Sequence, residues 1–465
     1  MASGVEECGW VGVLLGGRVV RAERQGPRRH GGRPAWFVDV EVEVAGGGGG
    51  AELRRCYVRM ERPEHGDGRA ALRREYRVLQ ALRAAGVRVP EMYALSEDPP
   101  AIVMEYLAGE GEYLLLTDPE RRRGLDHQFL AELVKVHQAD IGPFVALGLK
   151  VPSTPAEYVT LDLDTWQAAY HATVRRPVPL LEFTCRWLRR HIPPAPERPV
   201  LVQGDTGPGQ FMFDGADMTG IVDWEFALLG DPMLDLALIR GRDFYNPGAD
   251  LRDWFATYER LSGTPIDWPK LSYYTVKATA ITPLSLAGLC QTMYPGADHA
   301  EWYAEAATFG RATAQALCEA IGVAPAAAVE LPERRPGRLA PMYDVMEENL
   351  NGELRPADAR GGHRMDLVLR LLTMVRNADA LDGPLIELEL DDLAGVLGGR
   401  RPGDLAAGDE ALLALIADED GDRDGDRDGD LAAYLWRRTI REEHLLRGAL
   451  GAGESAVLVP LAALR

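Results

Sequence analysis

Lysine is almost missing from this 465-residue chain. Lys135, Lys150, Lys270 and Lys277 are all it has among 51 basic residues. Any role that needs a cation in the N-terminal third therefore falls to arginine. No apolar run approaches the roughly 20 residues that span a bilayer; the longest early one, Trp10 to Leu15, is far too short. The start of the chain carries Glu6 and Glu7 rather than the basic residues of a secretory signal, so a cytoplasmic location is expected. Cysteine is sparse: Cys8, Cys56, Cys185, Cys290 and Cys318 are scattered with no Cys-x-x-Cys pair. That pattern argues against a disulfide framework or a structural zinc site and leaves idle, buried thiols. Positive charge is also short, with 71 acids against 51 bases and a net charge of −20. Such a surface repels phosphate backbones, so neither nucleic acid nor membrane is an expected partner.

What remains is the balance of a globular protein, 46% apolar and 26% charged, long enough for about three domains. Gly17 to Gln25 and Pro34 to Val44 are β-rich, the second alternating through Val38, Val40, Val42 and Val44. Glycines 46–50 predict a flexible turn into a third strand, Leu53 to Glu61. Ala70 to Ala85 has helical periodicity, ended by Gly86 and Pro90. Ala101 to Leu107 reads as a buried strand running into a linker. From Glu120 helices dominate, broken by a strand-and-turn region from Pro199 to Phe226 and resuming at Met233. Beyond a linker at 332–338, helices are predicted at Met342–Leu350, Met365–Arg376, Asp409–Ile416 and Leu431–Leu446. The acidic tract Asp418 to Asp430 imitates a calcium loop, but position twelve from Asp420 is Leu431 instead of a bidentate Glu, so a solvated loop is expected.

The chemistry concentrates at Asp205, Gln210 and Asp223. Asp205 sits in a glycine-rich turn after a buried strand, an amide follows five residues later, and Asp223 ends the next strand. Phosphoryl transfer needs this economy of parts. Hard oxygen ligands hold magnesium on a triphosphate, and a separate carboxylate orients the acceptor hydroxyl and takes its proton. Asp223 suits the metal and Asp205 the hydroxyl. The spacing from Asp205 to Gln210 equals that between base and amide in a protein-kinase catalytic loop.

The runs Gly204–Met212, Ile221–Glu225 and Gly230–Ala237 together resemble the aminoglycoside phosphotransferase family. The resemblance covers roughly residues 15–310. It implies an α+β, protein-kinase-like two-lobed fold: an ATP-binding lobe at 1–105, a helical catalytic and substrate lobe at 106–331, the linker at 332–338, and an accessory helical domain at 339–465 with a disordered acidic loop at 418–430. It implies ATP and Mg2+ as cofactors, Asp205 as base, and Gln210 with Asp223 at the metal. Arg59 and Glu75 resemble the strand-Arg and helix-Glu pair of one branch, and Met104, Glu105 and Tyr106 fall where the adenine-binding hinge is expected. Gly230 and Asp235 are expected to buttress the metal loop, and His137 to be packed rather than catalytic. The Gly204–Gly209 signature resembles the branch that accompanies acyl-CoA dehydrogenases, which implies a hydroxylated metabolite such as a hydroxyacyl compound ahead of an aminoglycoside.

Two positions depart from the family pattern. Gln203 stands where the family has His, and Gln210 where it has the metal-binding Asn. A longer amide stem shifts the metal geometry, so a nucleotide-binding pseudokinase or scaffold without turnover is the alternative reading. The C-terminal segment opening at Leu339 resembles an uncharacterised accessory domain, for which packing on the helical lobe or self-association is expected.

Overall fold

The computed structural model describes residues 4–26, 33–43, 51–61, 68–244, 247–418, 426–451 and 460–464. The glycine run at 46–50 and most of the acidic tract lie outside these residues. Two short helices, α1 (Gly4–Glu7) and α2 (Gly9–Leu15), precede strands β1 (Gly17–Arg24), β2 (Ala35–Glu43) and β3 (Ala51–Met60). Helix α3 (Gly68–Ala84) then leads to β4 (Met92–Glu97) and β5 (Pro100–Glu105). The five strands form one antiparallel sheet in the order β1-β2-β3-β5-β4, which places β3 at its centre.

Strand alternation decides what each face of this sheet does. Cys56 and Val58 of β3 point into a core with Val38, Val40 and Val103, closed by Cys8 and Val11 from the first helices. Neither short helix was predicted, and without them this face would be open. The opposite face carries Tyr57, Ile102 and Met104 packed on Leu72 of α3. Arg59 pairs in register with Ile102 and so belongs to this second face, toward α3. Along α3 the buried positions are Leu72, Glu75, Val78, Leu79 and Leu82, so Glu75 stands in the middle of an otherwise apolar stripe. The thiols are inert, as expected: burial pushes Cys8 and Cys56 up to about 11.

A 3-10 turn at Tyr113–Leu115 is followed by α4 (Pro119–Gln138), α5 (Gly142–Ala146), α6 (Glu157–Thr173) and α7 (Pro179–Arg190). Short strands β6 (Val200–Val202), β7 (Phe211–Asp214), β8 (Asp217–Ile221) and β9 (Leu228–Gly230) follow, pairing as β6-β9 and β7-β8. The remaining helices are α8 (Pro232–Asp243), α9 (Leu251–Ser262), α10 (Trp268–Gln291), α11 (His299–Ile321), α12 (Ala340–Asn351), α13 (Ala359–Val396), α14 (Leu405–Ala417) and α15 (Asp426–Leu446). The expected α+β class is what the chain adopts. Part of its acidic excess is structural: Asp118, Asp250, Asp267, Asp358 and Asp404 each cap a helix N-terminus by accepting backbone N–H groups. Among the described residues no helix is long and apolar enough to cross a membrane.

The chain divides into two compact units. The first comprises residues 1–152, 196–239 and 248–266; the second comprises 153–195, 240–247 and 267–465. Helices α6 and α7 thus share a unit with the C-terminal helices. In the first unit Phe129 of α4 stacks on Phe211 (ring centroids 5.0 Å) and meets Trp254 of α9 (5.6 Å), anchoring the strand that follows Gln210. In the second, α11 and α13 both pack on α15. Buried Asn377 ties the end of α15 by donating to the carbonyls of Leu445 (2.7 Å) and Arg447 (2.9 Å). Tyr170 and Tyr273 are structural there: Tyr170 Oη accepts Val178 N–H at 2.7 Å and Tyr273 donates to Leu188 O at 2.5 Å.

Asp126 of α4 is a buried acid in the first unit, accepting the Tyr113 hydroxyl at 3.0 and 3.1 Å. Burial pushes its carboxyl up to about 7, against the pull of its hydrogen bonds. The folded state therefore holds the proton that the unfolded chain releases near pH 4, and stability falls as pH rises from there toward 7. Urea unfolding between pH 5.5 and 8 should show wild type losing stability with rising pH. Asp126→Asn should remove a share of that loss on the order of 2 kcal/mol; an unchanged slope would contradict it.

Candidate active site

Three stretches of the first unit converge on Arg59. Its guanidinium reaches Glu75 Oε1 at 2.9 Å, Asp223 Oδ1 at 2.7 Å and Glu225 Oε2 at 3.6 Å. Arg33 adds a second guanidinium, its Nε donating to Glu225 Oε2 at 3.1 Å. Two cations thus face three carboxylates. Burial pulls the Arg59 pKa down, and Glu75, Asp223 and Glu225 more than reverse that, leaving it raised. Glu75, 1% exposed, has its carboxyl pushed up by burial, with Arg59 opposing the shift. A buried carboxylate is tolerable here because a guanidinium is fixed against it. Arginine serves where lysine is absent because its planar fork can meet several carboxylates at once.

The turn after β6 carries Asp205 and Gln210. Gln210 Nε2 donates to Asp205 Oδ2 at 2.5 Å. That leaves Gln210 Oε1 buried with no hydrogen-bond donor. Gln210 is also tied through its backbone to the metal loop, its carbonyl accepting Val222 N–H at 3.0 Å. Gln203, where the family has His, donates its side chain to Val222 O at 2.7 Å. The substitution thus keeps a strut between the two loops. Gly204 has φ +86, and a Cβ there would lie 2.4 Å from Phe226 O, so the loops meet backbone to backbone and only glycine fits. Asp223 has φ +58, and among the described residues it is the one non-glycine with positive φ. Buried Trp224 beside it holds the strained turn in place, donating to Ile221 O at 3.3 Å.

Asp235 lies elsewhere than expected. It was assigned to the metal loop, but its carboxylate, fully buried, accepts Gln203 N–H at 3.0 Å, Gly204 N–H at 3.2 Å and the Thr206 hydroxyl. It therefore braces the Asp205 loop. The physical reason is β6-β9 pairing, which sets the start of α8 directly beneath that turn. His137 is packed, as expected: its ring lies 3.0 Å from Asp235 Oδ2 and 2.8 Å from Tyr258 Oη.

The hinge residues sit at the end of β5. Met104 is buried, and the Glu105 N–H donates to Glu91 O at 2.8 Å and the Tyr106 N–H to Arg55 O at 3.3 Å. Those two amides are engaged within the protein, so any nucleotide contact from this stretch falls to other groups. Tyr106 stands edge-on to Phe37 (5.7 Å), with Arg55 over its ring (5.3 Å). Sequence reasoning missed Glu225, Arg33 and Thr206. Glu225 had a signal, standing in the Ile221–Glu225 motif from which only Asp223 was assigned. Arg33 had none, since its contact spans 192 positions.

The donor set fits a hard divalent cation. Gln210 Oε1 is an orphaned buried oxygen, and Asp223 is a carboxylate in a cluster with one more carboxylate than guanidinium groups. Among the described residues no group of three or more His, Cys, Asp or Glu could hold a metal. Removing Arg59 would strand a buried carboxylate. Arg59→Ala should cost about 3 kcal/mol in urea unfolding, while Arg59→Ala with Glu75→Ala should cost much less than the two single losses added. Additive losses would show the pair to be uncoupled.

Residues 43–274 match the profile of the Phosphotransferase enzyme family. Acyl-CoA dehydrogenase family member 10 of Mus musculus is 31% identical over 177 residues, covering 36% of this chain and 16% of that protein. Acyl-CoA dehydrogenase family member 11 of Gallus gallus is 25% identical over 249 residues, covering 48% of this chain and 31% of that protein. The chain thus spans under a third of the length of these relatives. Among solved structures, the macrolide 2'-phosphotransferase MphH from Brachybacterium faecium is 20% identical with a TM-score of 0.44, covering 65% of this chain and 97% of that one. The match to the family profile takes in Arg59, Glu75, Asp205, Gln210 and Asp223. Over residues 43–274 the chain belongs to the phosphotransferase enzyme family.

Proposed function

We propose that this protein is an ATP- and magnesium-dependent kinase of a small molecule, moving the γ-phosphoryl group to an alcohol. The observation that carries the reading is the pairing of Asp205 with a Gln210 amide whose other end is an unengaged buried oxygen. The amide N–H orients the Asp205 carboxylate, which in this reading takes the proton of the acceptor hydroxyl. As the alcohol oxygen bonds to the γ-phosphorus, its proton passes to Asp205. The bond from phosphorus to the β–γ bridging oxygen breaks, and ADP leaves with that electron pair. Magnesium, held by Asp223 and Gln210 Oε1, would neutralise charge on the phosphate oxygens. Arg59, anchored by Glu75, supplies a fixed positive charge to the phosphates, and Asp235 keeps the Asp205 turn from drifting.

The acceptor we infer is a hydroxylated metabolite such as a hydroxyacyl compound. The relatives named as acyl-CoA dehydrogenase family members support it. Label transfer from γ-32P ATP to a panel of hydroxyacyl compounds and aminoglycosides tests the reading. A labelled hydroxyacyl product is expected, reduced about 10²- to 10⁴-fold by Asp205→Asn. Label on aminoglycosides alone would overturn the acceptor class. ATP binding with no transfer to any acceptor would favour the scaffold reading, for which Gln210 in place of Asn is the motive.

A further inference from the structure

The accessory helices bury one face and leave another bare. Helix α13 turns Leu367, Asn377, Leu381 and Leu385 inward, and all four are buried. Between Met365 and Val375, however, it reads Met-Asp-Leu-Val-Leu-Arg-Leu-Leu-Thr-Met-Val, apolar on nearly every side. A helix apolar all round belongs in a place covered all round. Val368 and Val375 are instead 47% and 55% exposed, on a face other than that of Leu367. Helix α12 repeats the pattern. Tyr343 is its one buried residue, while Met342, Val345 and Met346 are 61%, 57% and 47% exposed. Single exposed apolar side chains are ordinary, but five on two adjacent helices mark an interaction surface.

The charges around this surface say what covers it. The two helices run antiparallel: Arg376 of α13 donates to Asp344 (2.7 Å) and Glu347 (3.2 Å) of α12, and the Leu339 N–H to Asp379 (3.4 Å). Beyond the end of α12, Arg355 donates to Asp366 at 2.8 Å. That register sets Glu348 about level with Leu372. Arg364 stands one turn before Val368 on the same side of α13. Asp344, Glu347, Asp366 and Arg376 are all paired within the hairpin. Glu348 and Arg364 are exposed, and among the described residues neither has an ionic partner. Val368 lies midway between the level of Arg364 and that of Glu348.

We propose that this face of α12 and α13 is the interface of a symmetric dimer, covered by a second copy of this chain. A two-fold axis through Val368, perpendicular to α13, lays Glu348 of each copy level with the partner's Arg364. The same rotation packs the bare apolar stripe against itself. An isologous interface needs one surface to carry both members of every ion pair, and this surface does. A partner of a single charge sign would leave either Glu348 or Arg364 unmatched. An apolar centre inside a charged rim is also the make-up of stable protein interfaces. The accessory helices thereby gain a role that does not depend on the phosphoryl-transfer reading.

Sedimentation velocity of the full chain over a range of concentrations tests the proposal. A reversible dimer of twice 50.9 kDa is expected. Val368→Glu sets two carboxylates against each other at the axis and should weaken the dimer about 100-fold or more. Glu348→Arg and Arg364→Glu each create two like-charge contacts and should each weaken it about tenfold. The double reversal restores both pairs with their signs exchanged, so it should dimerise nearly as wild type does, a recovery that general damage to the fold would not produce. Unfolding curves confirm that each variant folds. A dimer that Val368→Glu leaves intact, or a double reversal no better than the single ones, would overturn the proposal. So would a chain that stays monomeric at about 100 µM; if that monomer cosedimented with phosphatidylglycerol vesicles, and Val368→Glu did not, the face would be a lipid-binding one instead.

Discussion

A carboxylate buried as completely as Glu75 needs a positive partner that cannot move away, and Arg59 meets that need from the centre of a five-stranded sheet. Antiparallel register sets Arg59 on the α3 face of β3, and the helical stripe of α3 brings Glu75 to it. The same guanidinium reaches Asp223 and Glu225, which follow the β7-β8 hairpin. One cation thus joins sheet, helix and metal loop. Its loss would unpair a buried charge and release the loop in the same event.

A second buried charge organises the other half of the site. Asp235 accepts two backbone N–H groups and a hydroxyl from the Asp205 turn, so the shape of that turn is written from below by α8. Gly204 lets the turn touch the metal loop at Phe226, and Gln203 and Gln210 strap the two together through Val222. These contacts fix the backbone of the turn that carries Asp205 and Gln210. In our reading, that preorganisation is what phosphoryl transfer asks of a protein whose covalent contribution is one proton acceptor.

Much of this was legible in the sequence because the signals are local. Asp205, Gln210 and Asp223 lie within nineteen positions of each other, and valine alternation marked β2. What escaped is what needs partners distant in sequence. Helices α1 and α2 are too short to show a period and are held by the sheet face they cover. Helix α13 was predicted only over 365–376. In the fold it runs on to Val396, since Leu381, Leu385, Leu390 and Leu393 all bury on the same packed assembly. Helix α4 begins at Pro119, next to the Glu120 from which helices were expected, because Asp118 caps it and Pro119 occupies its first turn. Asp235 was misplaced for a similar reason: its motif fixes the start of a helix, whereas its role depends on which turn lies above that helix.

The account stands on the cluster around Asp223 being a working nucleotide-metal site. The most direct test is a thermal-shift titration with ATP, with and without magnesium, on wild type and Asp223→Asn, each referred to its own ligand-free melting point. Mass action should raise the wild-type melting temperature with ATP and magnesium together, far more than with either alone, and Asp223→Asn should abolish the magnesium-dependent part. No shift at millimolar ATP and magnesium, or an equal shift in the variant, would contradict the account.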